Sequence, residues 1–302
     1  MVRVQVILAA VLFGTTGTAL VLAARSLDGL ALDPTSVGAA RIVVGGTVLA
    51  ALALVTGGLR GRWPIRPLLL AGAGVALYQV AFFEAVDRTG VAVGAVVAIG
   101  TGPVAAGAFE RVVDGVWPGR TWALATALAL AGGATLVLAS AGDTRLSPAG
   151  IAFALVAGTA YGGYTVVAKQ LLRAGHAAIG VMGASFGIAG VLLAPLLLVG
   201  SQAWLGRPQG VALALYLGLL PTALAYVLFA RGLQRLSAAE VTTIVLVEPV
   251  TATAFGFLLL GERLGAVAML GVLLVFAGLA TLAVAPRRQS AAIAAEVALD
   301  DA

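Results

Sequence analysis

The most constraining feature of this sequence is a series of ten apolar stretches, each about as long as a membrane is thick. A helix needs about 20 predominantly apolar residues to cross a hydrocarbon core of roughly 30 Å. Only short polar segments separate the stretches, so none can hold a soluble domain. The sequence therefore predicts an all-α polytopic membrane protein with ten transmembrane helices. The predicted helices α1 to α10 cover residues 4–24, 34–56, 66–86, 90–110, 121–140, 147–168, 176–199, 209–230, 238–260 and 264–285.

Composition agrees with a lipid environment and excludes several function classes. Charged residues make up 10% of the chain and mean hydropathy is +1.08, whereas a soluble domain carries roughly 25% charged residues. The absence of cysteine excludes disulfides, thiolate nucleophiles and Cys-ligated metals. The single histidine, His176, has no partner at metal or catalytic spacing, so we expect no metal or other cofactor. The net charge of +5 indicates membrane topology rather than nucleic-acid binding.

The loop charges predict the orientation. Cytoplasmic loops carry an excess of Lys and Arg. With a cytoplasmic N-terminus, twelve of the eighteen cations face the cytoplasm and five face outward, while Arg41 falls inside α2. We therefore expect a multi-pass protein of the plasma (inner) membrane with both termini cytoplasmic. The apolar run of α1 is too long for a signal-peptide core, and we expect it to remain as a span.

A repeated phrase predicts how the helices are organised. "GTTGTALVLAARSL" from Gly14 matches "GTAYGGYTVVAKQL" from Gly158, and each reaches a cation, Arg25 or Lys169, eleven residues later. Because each half holds five helices, the second copy enters the membrane from the other side. We expect two inverted five-helix repeats, 1–143 and 144–285, and a short cytoplasmic tail, 286–302. Inverted repeats are typical of secondary transporters that alternate access around a site near the midplane.

Three passages carry a resemblance to a known family: "GAARIVVGG" around Arg41, "FFEAVDRTGVAVGAVVAIGTGPV" from Phe82, and "VEPVTATAFGFLLLGERL" from Val247. The chain resembles EamA-type members of the drug/metabolite transporter superfamily across residues 4–285. The first half departs from the pattern, since it has "GVWPGR" where the second has "LLGERLG".

The resemblance implies a transporter that exports small metabolites, such as amino acids or related amphipathic compounds, and protons are a candidate coupling ion. It leaves the substrate open, and the chain is expected to act as a monomer or homodimer. Two alternatives remain: a flippase for lipid-linked substrates or a structural assembly partner, and a membrane-embedded enzyme. The enzyme is disfavoured because the chain offers few intramembrane acids and no nucleophile–base pair.

Charged residues within spans are costly and need a reason. Glu248 lies roughly 15 Å along α9 from Ser237, near mid-bilayer, and we interpret it as a ligand for a substrate ammonium group or as a proton-coupling group; a purely structural carboxyl is the alternative. Arg41 either binds a substrate carboxylate or pairs with Glu84 or Glu262. Glu84, Glu262 and Arg263 form a candidate gate or structural ion pair near the outer interface.

Helix breaks and polar side chains complete the predicted substrate site. Prolines leave backbone carbonyls without partners, and such breaks are tolerated in a membrane where protein or a cavity satisfies them. We treat Pro103 and Pro249 as symmetric mid-span breaks beside a central cavity, with packing kinks as the alternative, and expect further breaks at Pro195 and Pro221. The other predicted lining residues are Gly102, Tyr78, Gln79, Tyr161, Tyr164 and Tyr226.

Overall fold

The computed structural model describes residues 2–27, 30–115, 117–139, 147–199, 201–261 and 265–284. Within these ranges the chain has no β-strand, and ten helices are long and apolar enough to cross a membrane. The prediction of an all-α chain with ten spans is confirmed. The helices are α1 Val2–Ser26, α2 Pro34–Val55, α3 Ile65–Gly90, α4 Val93–Asp114, α5 Arg120–Ala139, α6 Pro148–Arg173, α7 Ala178–Val199, α8 Pro208–Arg235, α9 Ala238–Leu260 and α10 Ala266–Val284.

Local sequence signals set several helix ends. The Asp33 carboxylate accepts hydrogen bonds from the backbone N–H groups at the start of α2, and Pro34 occupies its first turn. Ser147 and Pro148 play the same roles at the start of α6. Side-chain oxygens before a helix and proline in its first position both favour helix initiation. Between α3 and α4 the chain turns at Gly90, whose φ of 82° is a conformation that favours glycine.

Three spans are interrupted in the described structure, each near a proline. The α7 span is interrupted by a turn at Ala194 and Pro195. In α8, a π-helical segment at Leu219–Leu224 contains Pro221. In α9, a 3₁₀ turn at Val245–Val247 separates Ala238–Ile244 from Glu248–Leu260.

The predicted break at Pro103 is wrong. The helix α4 continues with helical backbone angles on both sides of Pro103. The Thr101 hydroxyl, two residues earlier, donates to the Val97 carbonyl at 2.6 Å, a bond made within the helix. The prediction matched the two prolines by residue type, which does not ensure that they occupy corresponding positions.

Six of the helices pack as two groups of three, which we call bundles. The first bundle is α1 with α8 and α9, and the second bundle is α6 with α3 and α4. Two further pairs, α2 with α7 and α5 with α10, complete the arrangement. Small residues make the close contacts, as is common between membrane helices: Gly132 of α5, for example, lies against the Gly271 carbonyl of α10. Large aliphatic side chains such as Leu54, Val191 and Leu273 lie exposed on the outside, as expected for a lipid-facing surface.

The start of α1 and the end of α10 identify one face of the molecule. An Arg3 Nη1 donates to the Ala283 carbonyl at 3.0 Å, so α1 begins where α10 ends. We call this end the terminal face; the charge distribution predicts that it is cytoplasmic. Arg25 lies at the far end of α1. Lys169 lies at the terminal face, where it contacts the end of α8. The inverted-repeat prediction requires these two residues to lie at opposite faces.

Candidate substrate site

An aromatic cluster lies where both bundles and α7 meet. Its members are Phe13, Tyr78, Tyr161, Tyr164, Phe186, Tyr226 and Phe229, which are connected through ring contacts. The Tyr226 ring centre lies 4.1 Å from that of Phe186 and 5.0 Å from that of Phe13. Tyr161 connects to Tyr78 at 5.7 Å and to Tyr164 at 5.6 Å. All four tyrosines predicted from the sequence therefore come together.

Several polar atoms at this cluster have no hydrogen-bond partner among the residues that the structure describes. The hydroxyls of Tyr161 and Tyr164 are buried and unpartnered. The Tyr164 hydroxyl faces Tyr226, but without the geometry of a hydrogen bond. Buried polar groups are nearly always hydrogen-bonded, so each exception calls for an explanation. Binding of a ligand with its own polar groups is one such explanation.

Glu248 lies beside this cluster at the break in α9. It is the first residue after the 3₁₀ turn, at the start of the helical segment Glu248–Leu260. Its backbone carbonyl packs against Gly14 of α1, where an added Cβ would lie 2.7 Å away. The carboxylate interacts electrostatically with Arg41, Tyr78, Tyr161 and Tyr226. The break thus brings an acidic side chain into the aromatic interior.

Arg41 supplies the opposite charge. This side chain is half-buried in α2, and its Nε is buried with no hydrogen-bond partner in the described part of the chain. Its charge interacts with Glu248, Tyr78 and Tyr226, yet the two charged groups form no direct ion pair. A cation and an anion therefore lie in the same interior without forming a direct ion pair.

Comparison with known proteins identifies the family. The model of the EamA-like transporter family matches residues 3–138 and again residues 148–284. This chain belongs to the EamA-like transporter family. Its relative in Bacillus subtilis (strain 168), the uncharacterized transporter YwfM, is 38% identical over 300 residues, which is 97% of each chain. An uncharacterized transporter of Clostridium kluyveri is 28% identical over 131 residues, 43% of this chain and 42% of that protein.

A solved crystal structure shares the fold. It superposes with a TM-score of 0.79 at 19% identity and covers 93% of this chain and 96% of its own. The family match and the relatives together make the protein a membrane transporter of the EamA-like family, with many helices crossing the membrane.

The other predicted site residues of this EamA-like transporter lie in different parts of the structure. Gly102 packs directly beneath Tyr161, whose Cδ1 would lie 2.5 Å from an added Cβ. Pro249 lies instead in a small apolar crevice between α4, α5 and α9, beside Gly100 and Gly133. Pro249 thus breaks α9 without lining the aromatic cluster.

Gln79 and Glu84 line a second cavity, of about 120 Å³, between α2, α3 and α7. Gln79 is buried against Gly38 of α2. The predicted pairing of Arg41 with Glu84 is wrong, because Glu84 forms an ion pair with Arg88 one turn further along α3, at 2.9 Å. Glu262 and Arg263, predicted as a gate or structural pair, lie outside the described residues.

Sequence reasoning missed three aromatic members and two buried charges. Phe13, Phe186 and Phe229 complete the cluster, but a phenylalanine in an apolar helix carries no signal that separates a site from packing. The sequence predicts Lys169 just beyond α6, in a cytoplasmic loop, yet α6 continues to Arg173 and Lys169 is almost completely buried, at 1% exposure. Glu110 is 4% exposed and likewise buried. Their occurrence in otherwise apolar helices was the only available signal.

Proposed function

We propose that this transporter exports small amphipathic metabolites, such as amino acids, across the plasma membrane by alternating access. The observation that carries the proposal is the interior shared by Glu248, Arg41 and the aromatic cluster. A carboxylate suits an ammonium group and a guanidinium suits a carboxylate, while tyrosine rings suit an apolar body and their hydroxyls suit further polar groups. Such a set favours a zwitterion with an apolar side chain.

Alternating access is supported by the way the repeated phrase packs. Gly14 of α1 lies against the Glu248 carbonyl and Thr251 of α9, where an added Cβ would be within 2.7 Å of both. Gly158 of α6 lies against the Ala98 carbonyl and Thr101 of α4, at 2.4 Å from each. The spacing in both contacts is three residues. Two equivalent contacts in the two bundles are what an inverted repeat would produce.

The direction and coupling of transport come from other considerations. Export follows from the family resemblance, and the twelve-to-five distribution of cations favours a cytoplasmic terminal face. Glu248 is the candidate proton-coupling group, because it is the acidic side chain that reaches the aromatic interior.

The flippase alternative receives less support from the described cavities. The apolar crevice between α4, α5 and α9 has a volume of about 20 Å³, which leaves room for about one water molecule. An acyl chain would need a much larger lateral opening. We therefore favour a compact metabolite over a lipid-linked substrate.

The decisive experiment is a metabolite-wide export screen in cells that express the protein, repeated after the proton gradient has been collapsed. We expect one or a few zwitterionic metabolites to accumulate outside, and less of them once the gradient is gone. Efflux of the identified compound from loaded vesicles then separates a transporter from an indirect cellular effect. A screen in which no small metabolite changes, together with lipid scrambling in vesicles, would favour the flippase.

A further inference from the structure

A buried lysine holds the end of α8 at the terminal face. Lys169 of α6 donates from Nζ to the carbonyls of Leu233 and Gln234, at 2.6 and 3.2 Å. These carbonyls belong to the last turn of α8, where no intrahelical N–H remains to bond them. A cation at a helix C-terminus also complements the helix dipole. Lys169 therefore caps α8 from a neighbouring helix.

A buried glutamate holds the start of α9 in the complementary way. The Glu110 carboxylate of α4 accepts hydrogen bonds from the backbone N–H groups of Ala238 and Ala239, at 2.6 and 3.1 Å. Ser237 accepts from the next N–H, that of Glu240, at 3.0 Å. An anion at a helix N-terminus satisfies free donors and complements the dipole. We call Glu110 and Lys169 together the clasp.

The clasp joins the two bundles, whereas the neighbouring ion pairs do not. Glu110 and Lys169 belong to the second bundle, and the α8–α9 connection that they hold belongs to the first. At the same face, the Arg3–Glu240 pair, at 2.8 Å, lies within the first bundle. The Arg173–Asp114 pair, at 2.6 Å, lies within the second. Breaking the clasp therefore removes contacts between bundles, while breaking either neighbouring pair does not.

The corresponding positions at the opposite face lack these features. The matching glycine contacts align Thr101 with Thr251, so the counterpart of Glu110 is Leu260, which has no charge. The repeated phrase aligns Lys169 with Arg25, and Arg25 is exposed rather than buried. The clasp is thus built at one face of the molecule.

We propose that Glu110 and Lys169 are positioning residues that hold the first half of α9, Ala238–Ile244, against the buried core that contains the aromatic cluster, and that the terminal face opens when they release it. This inference rests on the proposed alternating-access function. The 3₁₀ turn Val245–Val247 lies between the clasped half and the half that begins with Glu248. It gives α9 a hinge, so the clasped half can move while Glu248 stays packed on α1.

Thiol labelling tests the clasp directly, since the chain contains no native cysteine. Thr165 is buried in α6, one turn from Lys169 and one turn from Tyr161, and so lies between the terminal face and the aromatic cluster. A Thr165→Cys variant is reacted with a membrane-impermeant maleimide, added to one side of reconstituted vesicles at a time. We expect slow labelling in the otherwise unchanged protein. With Glu110→Gln or Lys169→Met added, we expect labelling from the terminal face to become about tenfold faster.

Matched variants separate opening of this face from general loosening. Asp114→Asn breaks an ion pair at the same face but within one bundle, and it should leave the labelling rate within about twofold. Lys169→Arg keeps the cation and should keep labelling slow. If Glu110→Gln fails to fold, Lys169→Met decides the question, with circular dichroism and gel filtration as checks of folding.

The proposal is overturned if both clasp variants label as slowly as Thr165→Cys alone, or if Asp114→Asn accelerates labelling equally. The measurement needs no substrate. An export screen without a hit would therefore count against the proposed function and leave the labelling result interpretable.

Discussion

Two helix contacts, α1 with α9 and α6 with α4, share the same backbone packing. They differ in the side chain that the packed residue carries. In each, a glycine from a Gly-Thr phrase lies against a backbone carbonyl and a threonine three residues later. In the α6–α4 contact that carbonyl belongs to Ala98, and α4 is continuous. In the α1–α9 contact it belongs to Glu248, and α9 is interrupted just before it.

The difference shows which position in a duplicated packing contact can vary and so acquire a function. The glycine contact fixes the distance between helices and constrains the backbone, whereas the side chain at the carbonyl residue is free to vary. One copy carries a methyl group there and the other carries a carboxylate near the middle of the span. The second copy also places Pro249 after that residue and a 3₁₀ turn before it. The chemistry is therefore concentrated in one of two similar contacts.

The substitution Glu248→Gln is the strongest test of whether the carboxylate makes the α1–α9 contact functionally different from the α6–α4 contact. A charge-assisted hydrogen bond in an interior site contributes about 1.5–3 kcal/mol, so we expect transport of the exported metabolite to fall by roughly 10- to 100-fold. The fold should persist, because the Glu248 side chain makes no hydrogen bond within the described structure. Efflux from loaded vesicles measures the effect.

The matched control is Glu240→Gln, the same change in the same helix at an acid that pairs with Arg3 on the terminal face. It should leave efflux within about twofold. Normal, pH-dependent efflux from the Glu248→Gln variant would show that the carboxylate takes no part in transport. Glu248 would then contribute, like Ala98, only through the contact of its backbone carbonyl with a glycine.

The same comparison shows what the sequence can and cannot predict. Ten spans follow from apolar length alone, because lipid demands about 20 apolar residues per helix. Glu248 could be singled out because an intramembrane charge is costly in any arrangement. The counterpart of Glu248 could not be found, since prolines were matched by type and the relevant match, Ala98, is an ordinary apolar residue.

The clasp illustrates a second limit of the sequence. A charge near a helix end is usually exposed at the interface, and this expectation placed Lys169 in a loop. Its real surroundings depend on the end of α8, which lies 64 residues further along the chain. Only the packed bundle brings the buried amine to those carbonyls.

The glycine contacts themselves can be compared by mutation. Gly158→Ala places a Cβ 2.4 Å from both a carbonyl oxygen and a Thr101 carbon, and Gly14→Ala places one 2.6 Å from Thr251. Overpacking typically costs about 1–3 kcal/mol. We expect both variants to lower stability in detergent, and Gly158→Ala to lower it more, since continuous α4 has no break to absorb the displacement.

Gly17→Ala is the control for these two variants, because nothing lies within 4 Å of its added Cβ. Thermal unfolding followed by circular dichroism gives the ranking, and Gly17→Ala should unfold at or above the temperature of the unsubstituted protein. Equal midpoints for Gly14→Ala and Gly158→Ala would mean that the break in α9 gives no extra freedom. A loss in Gly17→Ala would mean that the apparent space beside α1 is filled in the folded protein.

The smallest expected effect distinguishes a hydroxyl available to a ligand from one used in packing. Tyr161 has a buried hydroxyl with no partner in the described ranges, whereas Tyr216 of α8 donates its hydroxyl to Thr15 of α1 at 2.9 Å. Removing an unpaired buried hydroxyl relieves a desolvation cost, while removing a paired one loses about 1 kcal/mol. We therefore expect Tyr161→Phe to raise the unfolding temperature slightly and Tyr216→Phe to lower it.

If the Tyr161 hydroxyl serves the substrate, its removal should also raise the half-saturating substrate concentration several-fold, and Tyr216→Phe should not. A variant Tyr161→Phe that is less stable and transports normally would show that this hydroxyl belongs to the packing, and would leave Glu248 and Arg41 as the polar part of the site.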